Sequence, residues 1–147
     1  MSEALAEWVL VWGPAGLFGA AFVGATLVPV SSEVAFVAAL AAGLAPASAL
    51  VWATAGNTLG CALNYALGWF ARDRVEPRLA ASRVGRAALG WTDRWGLAAL
   101  ALSWLPVVGD PLTLAAGVAR VRPAWFFALV PLLRAARYAA LLLVPTG

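Results

Sequence analysis

The chain contains no histidine and no lysine. Without imidazole there is no His-ligated metal or haem and no Ser-His hydrolase. Without lysine there is no Schiff base to retinal or pyridoxal phosphate. One cysteine, Cys61, excludes a disulfide within the chain, and its apolar neighbourhood suits a small packed side chain better than a reactive thiol. Charge is scarce as well: 12% of residues carry one, against roughly a quarter in soluble proteins. Residues 8–32 and 34–71 have none. The remaining ionisable tools are seven carboxylates, ten arginines, two tyrosines and the thiol. This set provides no metal site and requires no cofactor.

What is present is apolar. Hydrophobic residues make up 63% of the 147, with a mean hydropathy of +0.87. Each charge-free run exceeds the roughly 20 residues that cross a bilayer. The pattern predicts an all-α polytopic membrane protein forming a single transmembrane domain over 1–147. Only Glu3 and Glu7 precede the first apolar run, so a cleaved signal peptide, which needs a basic start, is not expected. The net charge of +3 speaks of topology and anionic headgroups before nucleic acid.

The first apolar segment covers 8–28, with Trp8 and Trp12 near its start as interfacial tryptophans, and Pro29 ends it. A second runs from Val34 to Leu44, and a third from about Ala47 to Ala71. The third holds Gly56 and Gly60, a spacing that lets helices approach closely. It also holds Asn57, Thr58 and Asn64, expected to hydrogen-bond between helices or, less simply, to line a polar path. Residues 72–94 carry six arginines and read as a polar loop or an amphipathic surface helix. Apolar sequence resumes at 95–119 and, after Arg120 and Arg122, at 124–145.

The positive-inside rule puts 72–94 in the cytoplasm. Were 95–119 a full crossing, Arg120 and Arg122 would lie outside. A hairpin turning at Pro106–Pro111 keeps both arginine clusters inside, and an α-helical arm over 95–105 would rise about 16 Å, half of a 30 Å core. Pro29-Val30-Ser31-Ser32-Glu33 resembles Pro106-Val107-Val108-Gly109-Asp110, and Leu-Ala-Ala-Gly follows each, at 40–43 and 114–117. The expected architecture is two inverted repeats of re-entrant hairpin plus spanning helix, about 8–71 and 95–147, with a transport site near the midplane. The hairpin tips are Pro29, Ser31 and Ser32 in the first repeat, and Pro106, Gly109 and Pro111 in the second. Residues 8–28 are also long enough to span alone.

These motifs resemble the YqaA-type branch of the DedA superfamily, also called VTT-domain or SNARE-associated proteins. The residues carrying the resemblance are Ala25–Val34, Gly56-Asn57-Thr58-Leu59-Gly60, Ser103–Pro111 and Arg137-Tyr138. The resemblance implies opposed re-entrant hairpins in a bacterial inner membrane. It further implies translocation of undecaprenyl phosphate or phospholipid linked to the proton motive force, with Glu33, Asp110 and Arg137 in the working positions.

The residues argue in the same direction. An intramembrane carboxylate costs a few kcal/mol and is by default functional. Burial favours its protonated form, so Glu33 and Asp110 are candidates to take up and release a proton. The competing reading is capping: Asp110 as N-cap with Pro111 first in its helix, and Ser31, Ser32 and Glu33 at the start of another. Arg134 and Arg137, three apart on one helix face, are candidates to pair with an acid and then with a lipid phosphate, or else to snorkel to the interface. Tyr65 and Tyr138 read as packing residues. The expected partners are phosphate-bearing membrane lipids and protons, not nucleic acid, and a homo-oligomer is compatible. A non-enzymatic transporter is the leading expectation. A non-transporting scaffold and an intramembrane aspartyl hydrolase, which needs paired carboxylates, are the alternatives.

Overall fold

The computed structural model describes residues 2–26, 31–105 and 107–144, with the side chains of Ser2 and Leu5 also left aside. The expected hairpin-tip residues Pro29 and Pro106 lie outside the described residues. Every regular element among those described is helical. In order they are α1 (Ser2–Ala25), α2 (Ser32–Ala41), α3 (Pro46–Phe70), α4 (Arg72–Ala80), α5 (Arg83–Trp95), a 3-10 helix (Gly96–Trp104), α6 (Gly109–Val118) and α7 (Pro123–Leu142). Among the described residues, two stretches are long and apolar enough to cross a bilayer by length and composition, Ala6–Ala25 within α1 and Pro123–Leu142. The chain packs as two compact units: Met1–Gly60 with Arg134–Gly147, and Cys61–Leu133. These boundaries fall inside α3 and α7, so they divide the chain differently from a count of repeats along the sequence.

In the first unit, α1 is broken at Gly13, whose φ of 56° and ψ of −133° suit glycine. Pro14 follows at the first position of the second half, where its missing N–H costs no helical bond. A straight helix would put residues eight apart about 12 Å apart along its axis. Here the Trp8 indole N–H instead donates to the Gly16 carbonyl at 3.1 Å, so the chain before the break folds back on the chain after it. The first apolar segment is therefore two shorter helical pieces rather than one unbroken rod.

The second piece of α1 packs on α2 and the first part of α3. The core is built largely from alanines, with Leu17, Phe36 and Tyr138 as its large members. Small residues let helix backbones approach where no hydrophobic force distinguishes neighbour from lipid. Gly56 and Gly60 do this as expected. A Cβ at Gly60 would stand 2.6 Å from the Phe22 carbonyl oxygen, and one at Gly56 would strike that of Phe18.

In the second unit, residues 72–94 fold as two helices rather than a loop. Ser82 caps α5, its hydroxyl accepting from the Gly85 N–H at 3.0 Å. Gly85, Ala88 and Thr92 bury one face. The 95–105 arm, expected to be α-helical, is instead a 3-10 helix after Gly96, a length unusual for that form. It packs with α5 and α6.

The two Leu-Ala-Ala-Gly runs are not equivalent. Gly43, at φ 92°, is the left-handed residue that closes α2. Gly117 lies inside α6, its Cα pressed against Gly68 of α3, where a Cβ would meet the Tyr65 carbonyl. The residue that closes α6 is Arg120, at φ 54°.

Candidate functional site

Ser31 caps α2. Its Oγ accepts from the Val34 N–H at 3.4 Å, while its own O–H donates to Glu33 Oε2 at 3.0 Å. The cap thus belongs to Ser31, and Glu33 stands in the first turn, where the helix dipole favours a negative charge. Its second oxygen, Oε1, forms an ion pair with Nη2 of Arg137 on α7. The two side chains are 28% and 13% exposed, so the pair is largely withdrawn from the surface.

Polar groups surround this pair. Tyr138 and Asn57 are each 1% exposed and Ser32 3%. The Asn57 amide donates to the Tyr138 hydroxyl at 3.2 Å and to the Ala21 carbonyl at 3.5 Å. Tyr138 also hydrogen-bonds Ser32, and its ring lies 5.0 Å from that of Phe36. Arg134, one turn before Tyr138, is 1% exposed. The unit-one centre therefore holds one carboxylate and two guanidiniums, a net positive site with a hydroxyl and an amide beside it. Thr54 and Thr58 on α3 bury hydroxyls that have no hydrogen-bond partner among the described residues, so among these Thr58 does not make the interhelical bond expected of it.

Sequence reasoning underrated Tyr138 and Ser32. The signal for Tyr138 was its place beside Arg137, four residues after Arg134, which sets all three on one side of α7. The snorkelling alternative for Arg134 does not hold, because a snorkelling head would be exposed.

Asp110 belongs to the second unit. α6 begins at Gly109, and Val108, at the cap position, makes no side-chain cap bond. Asp110 is thus the second helical residue and Pro111 the third, in place of the expected N-cap and first position. Proline is tolerated there because first-turn N–H groups have no intrahelical partner. The Thr113 hydroxyl donates to the Asp110 carbonyl at 2.7 Å and accepts from the Asn64 amide at 3.1 Å. Asn57 and Asn64 therefore each tie α3 to another helix, one in each unit. Among the described residues no cluster of acids and cysteine could hold a metal ion.

The chain is 42% identical over 143 residues to the inner membrane protein YqaA of Escherichia coli, a match covering 95% of this chain and 91% of that one. It belongs to the YqaA-type branch of the DedA superfamily. The Shigella flexneri protein of the same name matches equally, and a Haemophilus influenzae protein is 35% identical over 139 residues, 88% of this chain and 85% of that one. No protein-family model and no solved structure matches. The apolar composition is thus that of a DedA-family membrane protein of inner-membrane character, and the polar cluster around Glu33 lies in such a chain.

Proposed function

We propose that this DedA-family protein is a multi-pass transporter of phosphate-bearing lipid, undecaprenyl phosphate or a phospholipid, coupled to protons, and not an enzyme. The observation that carries the reading is the Glu33–Arg137 ion pair backed by Arg134, Tyr138, Asn57 and Ser32. Arginine grips phosphate through a planar fork of donors. A lipid phosphate entering the site competes with Glu33 for Arg137, and the released carboxylate takes up a proton. The charge moved through the apolar core stays small, which avoids the cost of an isolated ion there. The hydroxyls of Thr54 and Thr58, without a partner among the described residues, provide further polar contacts on α3. The test is a flip assay on the reconstituted chain with several phosphate lipids, with and without a pH gradient. Flip of at least one lipid that responds to the gradient is expected. Flip equal to that of empty vesicles for every lipid would favour the scaffold reading.

The second acid enters through the inverted-repeat architecture. A constant 77 positions separates Glu33 from Asp110, Gly43 from Arg120 and Pro46 from Pro123. α2 and α6 are both ten residues long, with the acid second. Each ends in a left-handed residue and the same backbone bond, Leu44 N–H to Ala39 and Val121 N–H to Ala116, both at 3.0 Å. The arms before them begin at Gly13 and Gly96, which share a backbone conformation. Twelve α-helical residues after Gly13 rise about 18 Å. Nine 3-10 residues from Gly96 rise about the same. Both are re-entrant lengths against a 30 Å core. The 77-residue offset sets Arg134 and Arg137 at the positions of Asn57 and Gly60, so the two proposed repeats differ in chemistry. In this topology residues 72–94 and 120–122 are cytoplasmic. Single cysteines at Arg78 and Arg122 in a Cys61→Ala background should label from the same side. Labelling from opposite sides would reject the re-entrant arm.

A further inference from the structure

A cavity of about 490 Å³ opens in the second unit where α4 begins, α5 ends and α7 begins, a size within the range of small-molecule sites. Arg72, Thr92, Asp93, Gly96, Arg122 and Trp125 line it. We infer that this cavity is a binding site for a monoanionic phosphodiester group, separate from the Glu33–Arg137 centre and independent of the transport reading.

Its charges give the first reason. Arg122 and Asp93 face the same space, yet among the described residues neither has an ion-pair partner. Arg72 gives its Nε to Glu76 at 3.1 Å, an exposed pair of small worth, which leaves its terminal nitrogens for a ligand. Two guanidiniums offer forked donors to phosphate oxygens. With Asp93 in the lining and Glu76 paired to Arg72, the site carries little net charge, which suits the one negative charge of a phosphodiester better than the near-dianion of a phosphomonoester.

The walls give the second. Trp125 is 54% exposed at the rim, and tryptophan is enriched where apolar chain meets polar headgroup. Gly96 adds no side chain, and nothing lies within 4 Å of where its Cβ would stand, so the floor beside Thr92 is open. Nearby, the Arg120 guanidinium lies 5.4 Å from the centre of the Trp69 ring, which holds its charge at the same end of the unit. A phosphodiester comes either from a phospholipid headgroup or from a soluble diester, and the cavity reads the group common to both.

The full chain in detergent micelles, followed by native mass spectrometry and by thermal shift, tests the assignment. Phosphatidylglycerol, a diester, should bind more tightly than phosphatidic acid, a monoester. Arg122→Gln, at an exposed position, should weaken phosphatidylglycerol about tenfold without unfolding the chain. Asp93→Asn should raise phosphatidic acid relative to phosphatidylglycerol. Displacement by dimethyl phosphate would name a soluble diester as sufficient, and its failure beside successful lipid binding would name the headgroup; both keep the assignment. Inorganic phosphate displacing as well as dimethyl phosphate would overturn it. So would Arg122→Gln with unchanged affinity, or an Asp93→Asn chain with the wild-type lipid preference. Glu33→Gln, which removes the pH response of flip under the proposed function, should leave this binding unchanged, so the two ideas fail separately.

Discussion

Arg137→Ala should lower lipid flip by about ten- to a hundredfold, the worth of one hydrogen bond to a charged group. Glu33→Gln should keep lipid binding but remove the response to a pH gradient, because glutamine accepts from Arg137 and cannot take up a proton. Removing one partner of a buried pair can also destabilise the fold by about 3–5 kcal/mol. The paired change Glu33→Gln with Arg137→Gln separates these effects, since it strands no charge. It should restore protein level and leave flip absent. Flip at the wild-type rate in both single variants, with the same pH response, would reduce the pair to a structural clasp between α2 and α7.

Glu33, Arg137 and the Gly56–Gly60 spacing were legible because each breaks an apolar pattern, and in a membrane protein such breaks have few causes. The partner of Arg137 was not, because Glu33 and Asp110 look alike in sequence. The choice depends on packing among α1, α2, α3 and α7 that periodicity does not encode. The break in α1 was legible and passed over: Gly13-Pro14 is a stop followed by a start. The 3-10 arm was not legible, since nothing in Gly-Leu-Ala-Ala-Leu-Ala-Leu-Ser-Trp favours it over an α-helix. The helices in 72–94 were half legible, as six arginines suited both a polar loop and an amphipathic helix, while the Ser82 cap and the buried face at Gly85, Ala88 and Thr92 came only with the structure. The Leu-Ala-Ala-Gly match misled because alanine-rich helices repeat such strings cheaply. The residues that close α2 and α6 in the left-handed conformation are instead Gly43 and Arg120.

Gly117→Val should be the most disruptive single packing change. The new side chain would collide with the Tyr65 carbonyl on α3, and Gly68 stands directly opposite, its Cα 3.0 Å from the same Cβ. Neither neighbour is a side-chain tip that can swing aside; both are helix backbone. Separating α3 from α6 would also break the bond from the Asn64 amide to Thr113. Overpacking of this kind costs about 1–3 kcal/mol and more when backbones must move, so a fall in melting temperature of about 5–10 °C in detergent is expected. Gly90→Ala is the control: nothing lies within 4 Å of its added methyl, and it should be neutral or stabilising, as alanine is the better helix former. Equal melting temperatures for Gly117→Val and the wild type would show that α3 and α6 do not meet at these glycines.

The composition of the first unit has a consequence for biogenesis. Glu33, Ser32 and Asn57 leave the ribosome early, whereas Arg137 and Tyr138 arrive with α7, behind every other described helix. At about 5–20 residues per second, the hundred or so intervening residues take roughly 5–20 s to make. Through that interval the acid lacks the arginine it pairs with, Arg137. Glu33 therefore meets the Arg137 guanidinium only after α7 has been made. The Glu33–Arg137 pair and the Asn57–Tyr138 bond are therefore among the last contacts of the first unit to form.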